Sequence, residues 1–158
     1  VKGWDEHRTS NIEHRTLNVE RPTLDVERAR EREEAMAVYD LEERLLDYSA
    51  GLVMLVDRLP NTKAGSHFGG QLLRSGTSPL ANHGEAQAPE SREDFIHKMK
   101  LCLKELRESH RWLKLIDRAR LLRDDPRLVS LIGETDELVR IFVASIATAR
   151  RRKPGDRG

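Results

Sequence analysis

One stretch, Ser91 to Leu122, places three constraints on any fold this chain can adopt. Phe95, Met99, Cys102, Leu106, Leu113 and Ile116 recur at helical spacing and make a core stripe. Lys100, Lys104, Arg107, Arg111, Lys114 and Arg118 recur at alternating steps of four and three, an unbroken basic stripe on another side of the same helix. Leu101, Trp112, Leu115 and Ala119 fall on a third side, interrupted by Glu105 and Glu108. A monomeric surface helix needs a single apolar stripe. Three faces on one helix imply a core, a subunit contact and an anion-facing surface.

The rest of the chain reads as helical too. Asp40 with Glu43 resembles a capping box and predicts a helix from about Leu41 to Leu59. Its core stripe is Leu41, Leu45, Tyr48, Leu52, Val56 and Leu59. Leu46, Ala50, Val53 and Met54 fall on the far side, so this helix is expected to be covered on two sides. A second helix is expected from about Ser66 to Ala88, kinked or split at Pro79 and rich in glycine. Ser91, with Asp94 three residues on, caps the third helix. Pro126 suits the first position of a fourth, which runs to about Arg151 with Leu128, Leu131, Ile132, Leu138, Val139, Phe142 and Ile146 on its core face. Four amphipathic helices with short connections predict an all-α, antiparallel up-and-down four-helix bundle with an irregular second helix.

Residues 7–27 carry a seven-residue repeat, HRTSNIE, HRTLNVE, RPTLDVE. Its apolar positions alternate by two and five, where a coiled coil needs three and four, and Pro22 is unsuited to a helix interior. The repeat therefore reads as a flexible extension over residues 1–36, followed by a bundle domain over 37–153 and a tail over 154–158.

Particular motifs carry a resemblance. The run Gln71-Leu72-Leu73-Arg74-Ser75-Gly76-Thr77-Ser78, then Ala81-Asn82 and Glu85-Ala86, resembles the second helix of the bacterial "four-helix bundle protein" family, also known as the 23S rRNA intervening-sequence proteins. Glu90-Ser91-Arg92, Asp94-Phe95-Ile96-His97-Lys98, Lys104-Glu105-Leu106-Arg107-Glu108 and Trp112-Leu113 continue the match, which spans roughly residues 39 to 152. His83-Gly84 and Pro89 depart from the pattern. The resemblance implies a homopentamer of four-helix bundles without enzymatic activity. The family is also similar in architecture to accessory variability proteins of diversity-generating retroelements, which implies nucleic acid and a reverse transcriptase as partners.

Chemistry is sparse. The net charge is +1, so any nucleic-acid affinity must come from local clustering. The basic stripe from Lys100 to Arg118 and the cluster Arg150, Arg151, Arg152 and Lys153 are the candidates for binding RNA or DNA. Their bland reading is solvated surface. No aromatic platform accompanies them, so the expected contact is non-specific and to phosphates. Leu46, Ala50, Val53, Met54, Leu101, Trp112, Leu115 and Ala119 are the candidate oligomer contacts. Arg74 is expected to bond backbone at the irregular second helix.

No catalytic residue, metal site or cofactor is expected. Asp94-x-x-His97 turns away from the core and cannot form a bundle metal site, and the single Cys102 reads as a small core residue. A helical ribonuclease using Arg92 and His97 is the enzyme alternative, although a straight helix would point the two about 140° apart. A scaffold that binds only protein is the other alternative. No apolar stretch is long enough to span a bilayer, and no leading apolar run resembles a signal peptide, so a cytoplasmic protein is the expectation.

Overall fold

A computed structural model describes residues 21–151, with side chains at 26–30, 32–33 and 41–151. It contains four helices: α1 (Arg21–Val56), α2 (Lys63–Ala86), α3 (Arg92–Arg118) and α4 (Pro126–Arg151). No strand occurs among the described residues, and the fold is all-α. The chain separates into two units, Val1–Tyr39 and Asp40–Gly158. In the first unit, the described side chains, Val26 among them, are exposed.

Local chemistry explains three of the four helix starts. Thr62 Oγ1 accepts from Gly65 N at 3.1 Å and caps α2, which starts at Lys63, three residues before the expected Ser66. Ser91 Oγ accepts from Asp94 N at 3.0 Å and opens α3 as expected. Asp125 Oδ1 accepts from Arg127 N at 2.9 Å, and Pro126 takes the first position of α4, where its missing N–H costs nothing.

The start of α1 differs most from expectation. Asp40 and Glu43 form no capping box, because the helix begins at Arg21. Pro22 sits in its first turn, where a missing N–H costs no helix hydrogen bond. Residues 21–36 are therefore helical, while residues 1–20, with most of the repeat, and residues 152–158 lie outside the described part.

The second unit is a bundle whose neighbouring helices run antiparallel. Arg44 pairs with Glu134 and Arg58 with Asp125, which sets α1 against α4. Ser109 bonds Ser75 and Lys98 bonds Glu85, which sets α2 against α3. Arg92 Nε and Nη2 donate to the carbonyls of Ala149 (2.8 Å) and Arg150 (2.6 Å), tying the start of α3 to the end of α4. The core is mostly aliphatic: Leu45, Leu52, Leu55, Leu72, Leu106, Leu113 and Leu138 are fully buried around Tyr48 and Phe142.

A polar layer crosses this core, with one hydroxyl from each helix. Tyr48 OH lies 2.9 Å from Thr135 Oγ1, with Ser109 beside it, and Ser109 Oγ donates to Ser75 Oγ at 2.9 Å. Burial pushes the Tyr48 phenol up to about 12, so it is a neutral hydrogen-bonding group at every physiological pH. Ser109 continues the α3 core stripe between Leu106 and Leu113, and Thr135 does the same between Leu131 and Leu138. Buried hydroxyls are costly unless paired, so the layer fixes the register of the four helices.

The turn between α1 and α2 folds back so closely on the start of α2 that it depends on glycine. A Cβ at Gly65 would lie 2.0 Å from the backbone carbonyl oxygen of Pro60. At Gly70, also inside α2, it would meet nothing within 4 Å. Gly65→Ala is therefore expected to lower unfolding stability by about 1–3 kcal/mol. Gly70→Ala should raise it by about 0.5–1 kcal/mol, because alanine loses less entropy in a helix. Urea unfolding of the two variants checks the opposite signs.

Pro79 does not split α2; it is buried within one continuous helix, and its carbonyl accepts from Cys102 Sγ at 3.5 Å. One turn later His83 is buried edge-on to Phe142, with ring centroids 6.1 Å apart. Its Nε2 lies 3.0 Å from Gln87 Nε2, and its Nδ1 has no partner among the described residues.

Burial pushes the His83 pKa below the ordinary 6.5, against a smaller upward pull from Glu42. The unfolded chain then takes the proton more readily than the folded one. Stability tied to neutral His83 is fully present above about pH 6.5 and is lost as the pH falls below it. The thermal midpoint is expected to drop between about pH 7 and pH 5, and His83→Gln to flatten that drop. Equal drops in both proteins would contradict the assignment.

Candidate nucleic-acid interface

Helix α3 turns its buried stripe, Met99, Cys102, Leu106, Ser109, Leu113 and Ile116, into the bundle. A residue pattern of fours and threes placed elsewhere on the helix must then face outward. Lys100, Lys104, Arg107, Arg111, Lys114 and Arg118 are all exposed. At 1.5 Å per residue they span about 27 Å, with one cation every ~4.5–6 Å. Lys104 lies 3.5 Å from Glu105, and the other five make no ion pair with a described residue. The stripe is therefore a row of largely uncompensated charge.

The flanks of the row differ. On one side His110 is half-buried, and burial together with nearby Lys114 pushes its pKa down. It is thus neutral at pH 7 and adds hydrogen-bonding capacity rather than charge. On the other side, Arg74 reaches from α2 across a groove of about 310 Å³, also lined by Ser78, Lys104, Glu105 and Glu108. Its Nη2 donates to Gln71 Oε1 at 2.6 Å and lies 3.3 Å from Glu108 Oε1. Arg74 bonds side chains, where the sequence led us to expect backbone carbonyls. Those carbonyls are served instead by Ser75, Thr77 and Asn82, each bonding the residue four earlier.

No family model matches the chain, and no curated protein is similar to it by sequence. A solved structure is similar: a protein of unknown function from the S23 ribosomal protein family of Bacteroides thetaiotaomicron. The two share 30% identity with a TM-score of 0.64, over 70% of this chain and 97% of that one. The chain belongs to the S23 ribosomal protein family.

In this S23 family member the candidate oligomer contacts fall into two groups. On α1, Leu46 (49%), Val53 (45%) and Met54 (52%) are exposed together with Ala50. On α3 and its C-cap, Leu115 and Ala119 are exposed, whereas Leu101 and Trp112 are half-buried. Trp112 packs within its own bundle, tilted against Phe68 of α2 at 5.7 Å and edge-on to His67 at 6.1 Å. The third side of α3 is thus shared between α2 and solvent. Spacing within a single helix cannot show this, because it does not say how far a neighbouring helix reaches around.

The remaining candidates sit elsewhere in the S23 bundle. Arg150 and Arg151 are exposed at the end of α4, and Arg151 Nε donates back to Ala147 O at 3.3 Å. Arg152 and Lys153 lie outside the described residues. Arg92 caps the last carbonyls of α4, a favourable cation at the negative end of a helix, while His97 is exposed. The Arg92 contact was invisible in sequence, since its partners lie 57 and 58 residues away.

Asp94 is engaged at the cap, accepting from Glu90 N at 3.3 Å. Cys102 is buried, and desolvation pushes its thiol up to about 12, so it is not a thiolate nucleophile near neutral pH. Among the described residues, no group of three or more His, Cys, Asp or Glu could hold a metal ion. No described helix is long and apolar enough to cross a membrane.

Proposed function

We propose that this S23 family member is a non-catalytic, homo-oligomeric bundle that binds RNA or DNA without sequence preference through the basic face of α3. The observation that carries the reading is the row of six exposed cations, five without an acidic partner among the described residues. Cations spaced along a rigid helix bind phosphodiesters and release counterions, which gives affinity that falls steeply with salt. Base readout has no support, because the row presents no aromatic platform.

Self-association is favoured by Leu46, Val53 and Met54, three large apolar side chains exposed on one stretch of α1 with Ala50 between them. Such a patch is a common mark of a protein contact. The family resemblance makes five the expected subunit number. A ring of copies would repeat the basic face and raise avidity for a long polyanion. A nucleic-acid enzyme such as a reverse transcriptase is the kind of partner such a ring would assist.

Light-scattering mass and anisotropy with labelled RNA test the reading together. A stable oligomer that binds RNA and leaves it intact is expected. An oligomer without RNA affinity at moderate salt would favour a protein-only scaffold. RNA cleavage abolished by His97→Ala would favour the ribonuclease alternative.

A further inference from the structure

We propose that the cleft at the α3–α4 turn holds the terminal phosphate of a nucleic-acid strand whose backbone follows the basic face of α3. This rests on the phosphate-contact reading of that face. The turn borders an open cleft of about 570 Å³ lined by Asp117, Arg118, Arg120, Leu122, Arg123 and Asp124. Arg118 is both the last cation of the α3 row and a wall of the cleft, so the two are one continuous surface. None of Arg118, Arg120 and Arg123 makes an ion pair with a described residue.

The backbone of the turn is also unusual. Arg120 (φ 52°) and Asp124 (φ 50°) are the non-glycine residues with positive φ in the described chain. At Arg120 this conformation closes α3: Leu121 N donates to Ile116 O at 3.2 Å and Arg120 N to Asp117 O at 2.9 Å, the paired bonds that end a helix on a left-handed residue. The end of the helix therefore sets the path of the turn that carries Arg120 and Arg123.

Charge density separates the cleft from the row. Along α3 there is one cation for each ~4.5–6 Å of axis, suited to one monoanionic diester at a time. The cleft lining holds three arginines, Arg118, Arg120 and Arg123, and guanidinium forks match the several oxygens of a phosphomonoester, which carries more charge than a diester. Asp117 and Asp124 reduce the net charge of the lining to +1 (three Arg, two Asp). A free phosphate ion is then held weakly, whereas a phosphate tethered to a strand already bound along α3 arrives at high effective concentration.

The test uses the full chain and a single-stranded RNA of about 12 nucleotides. One sequence is prepared with a 5′-phosphate, with a 3′-phosphate, and with hydroxyls at both ends. One phosphorylated form is expected to bind about tenfold more tightly than the hydroxyl form, and which one it is gives the strand direction. Arg120→Gln with Arg123→Gln should erase that difference, and the hydroxyl-RNA affinity measured alongside takes up the general loss of positive charge, which weakens all three RNAs alike. Equal affinity of the three RNAs for the unaltered protein would overturn the cleft and leave the α3 reading standing. Failure of all three RNAs to bind would overturn both.

Discussion

Phe142→Ala is expected to lower the free energy of unfolding by about 3–5 kcal/mol, a large share of the stability of a small bundle. Phe142 is fully buried on α4, and its ring meets the edge of His83 on α2. Truncation removes the transfer energy of the ring and leaves a cavity beside an imidazole whose Nδ1 already lacks a partner among the described residues. Aliphatic neighbours fixed by the hydroxyl layer of Tyr48, Thr135, Ser109 and Ser75 have little freedom to collapse into the space. Urea unfolding measures the loss. A change below about 1 kcal/mol would show that the site repacks and that Phe142 does not bridge α2 and α4 as described.

Lys104→Glu, Arg107→Glu and Arg111→Glu together are expected to reduce RNA affinity at least about a hundredfold at moderate salt. The triple variant deletes the middle of the row and puts three repulsive charges in its place. All three side chains are exposed on the face opposite the buried stripe, so the fold and the oligomer should be unaffected. The comparison is informative only with the mass of the variant measured alongside its affinity. An intact oligomer with unchanged RNA binding would reduce the row to solvated surface.

How much of this was legible in sequence depended on how local the physics was. The core stripe of α3 and its start at Ser91 follow from spacing and one cap, both contained within a few residues. So does the start of α4 at Asp125-Pro126. The start of α1 was misplaced because Pro22 and the two-and-five repeat argue against a helix interior, whereas Pro22 occupies a first turn. Continuity of α2 through Pro79 was missed because burial of Leu72, Ser75, Gly76, Pro79 and His83 on one face outweighs a lost backbone hydrogen bond.

At the candidate interface the split was similar. The row from Lys100 to Arg118 was fully readable, since exposure follows once the core face is known. The division of the third face was not, because Phe68 covers Trp112 only once α2 is docked. The arginine cleft was not legible either. Arg120 and Arg123 fall in a turn, where periodicity carries no information and the backbone path decides which residues share a lining.

The central claim is that α3 presents its cations to phosphates, and the salt dependence of RNA affinity tests it most directly. Six contacts to a single strand predict a slope of about −4 or steeper in the logarithm of the association constant against the logarithm of salt concentration. A slope shallower than about −1, or affinity that does not respond to salt, would contradict the account.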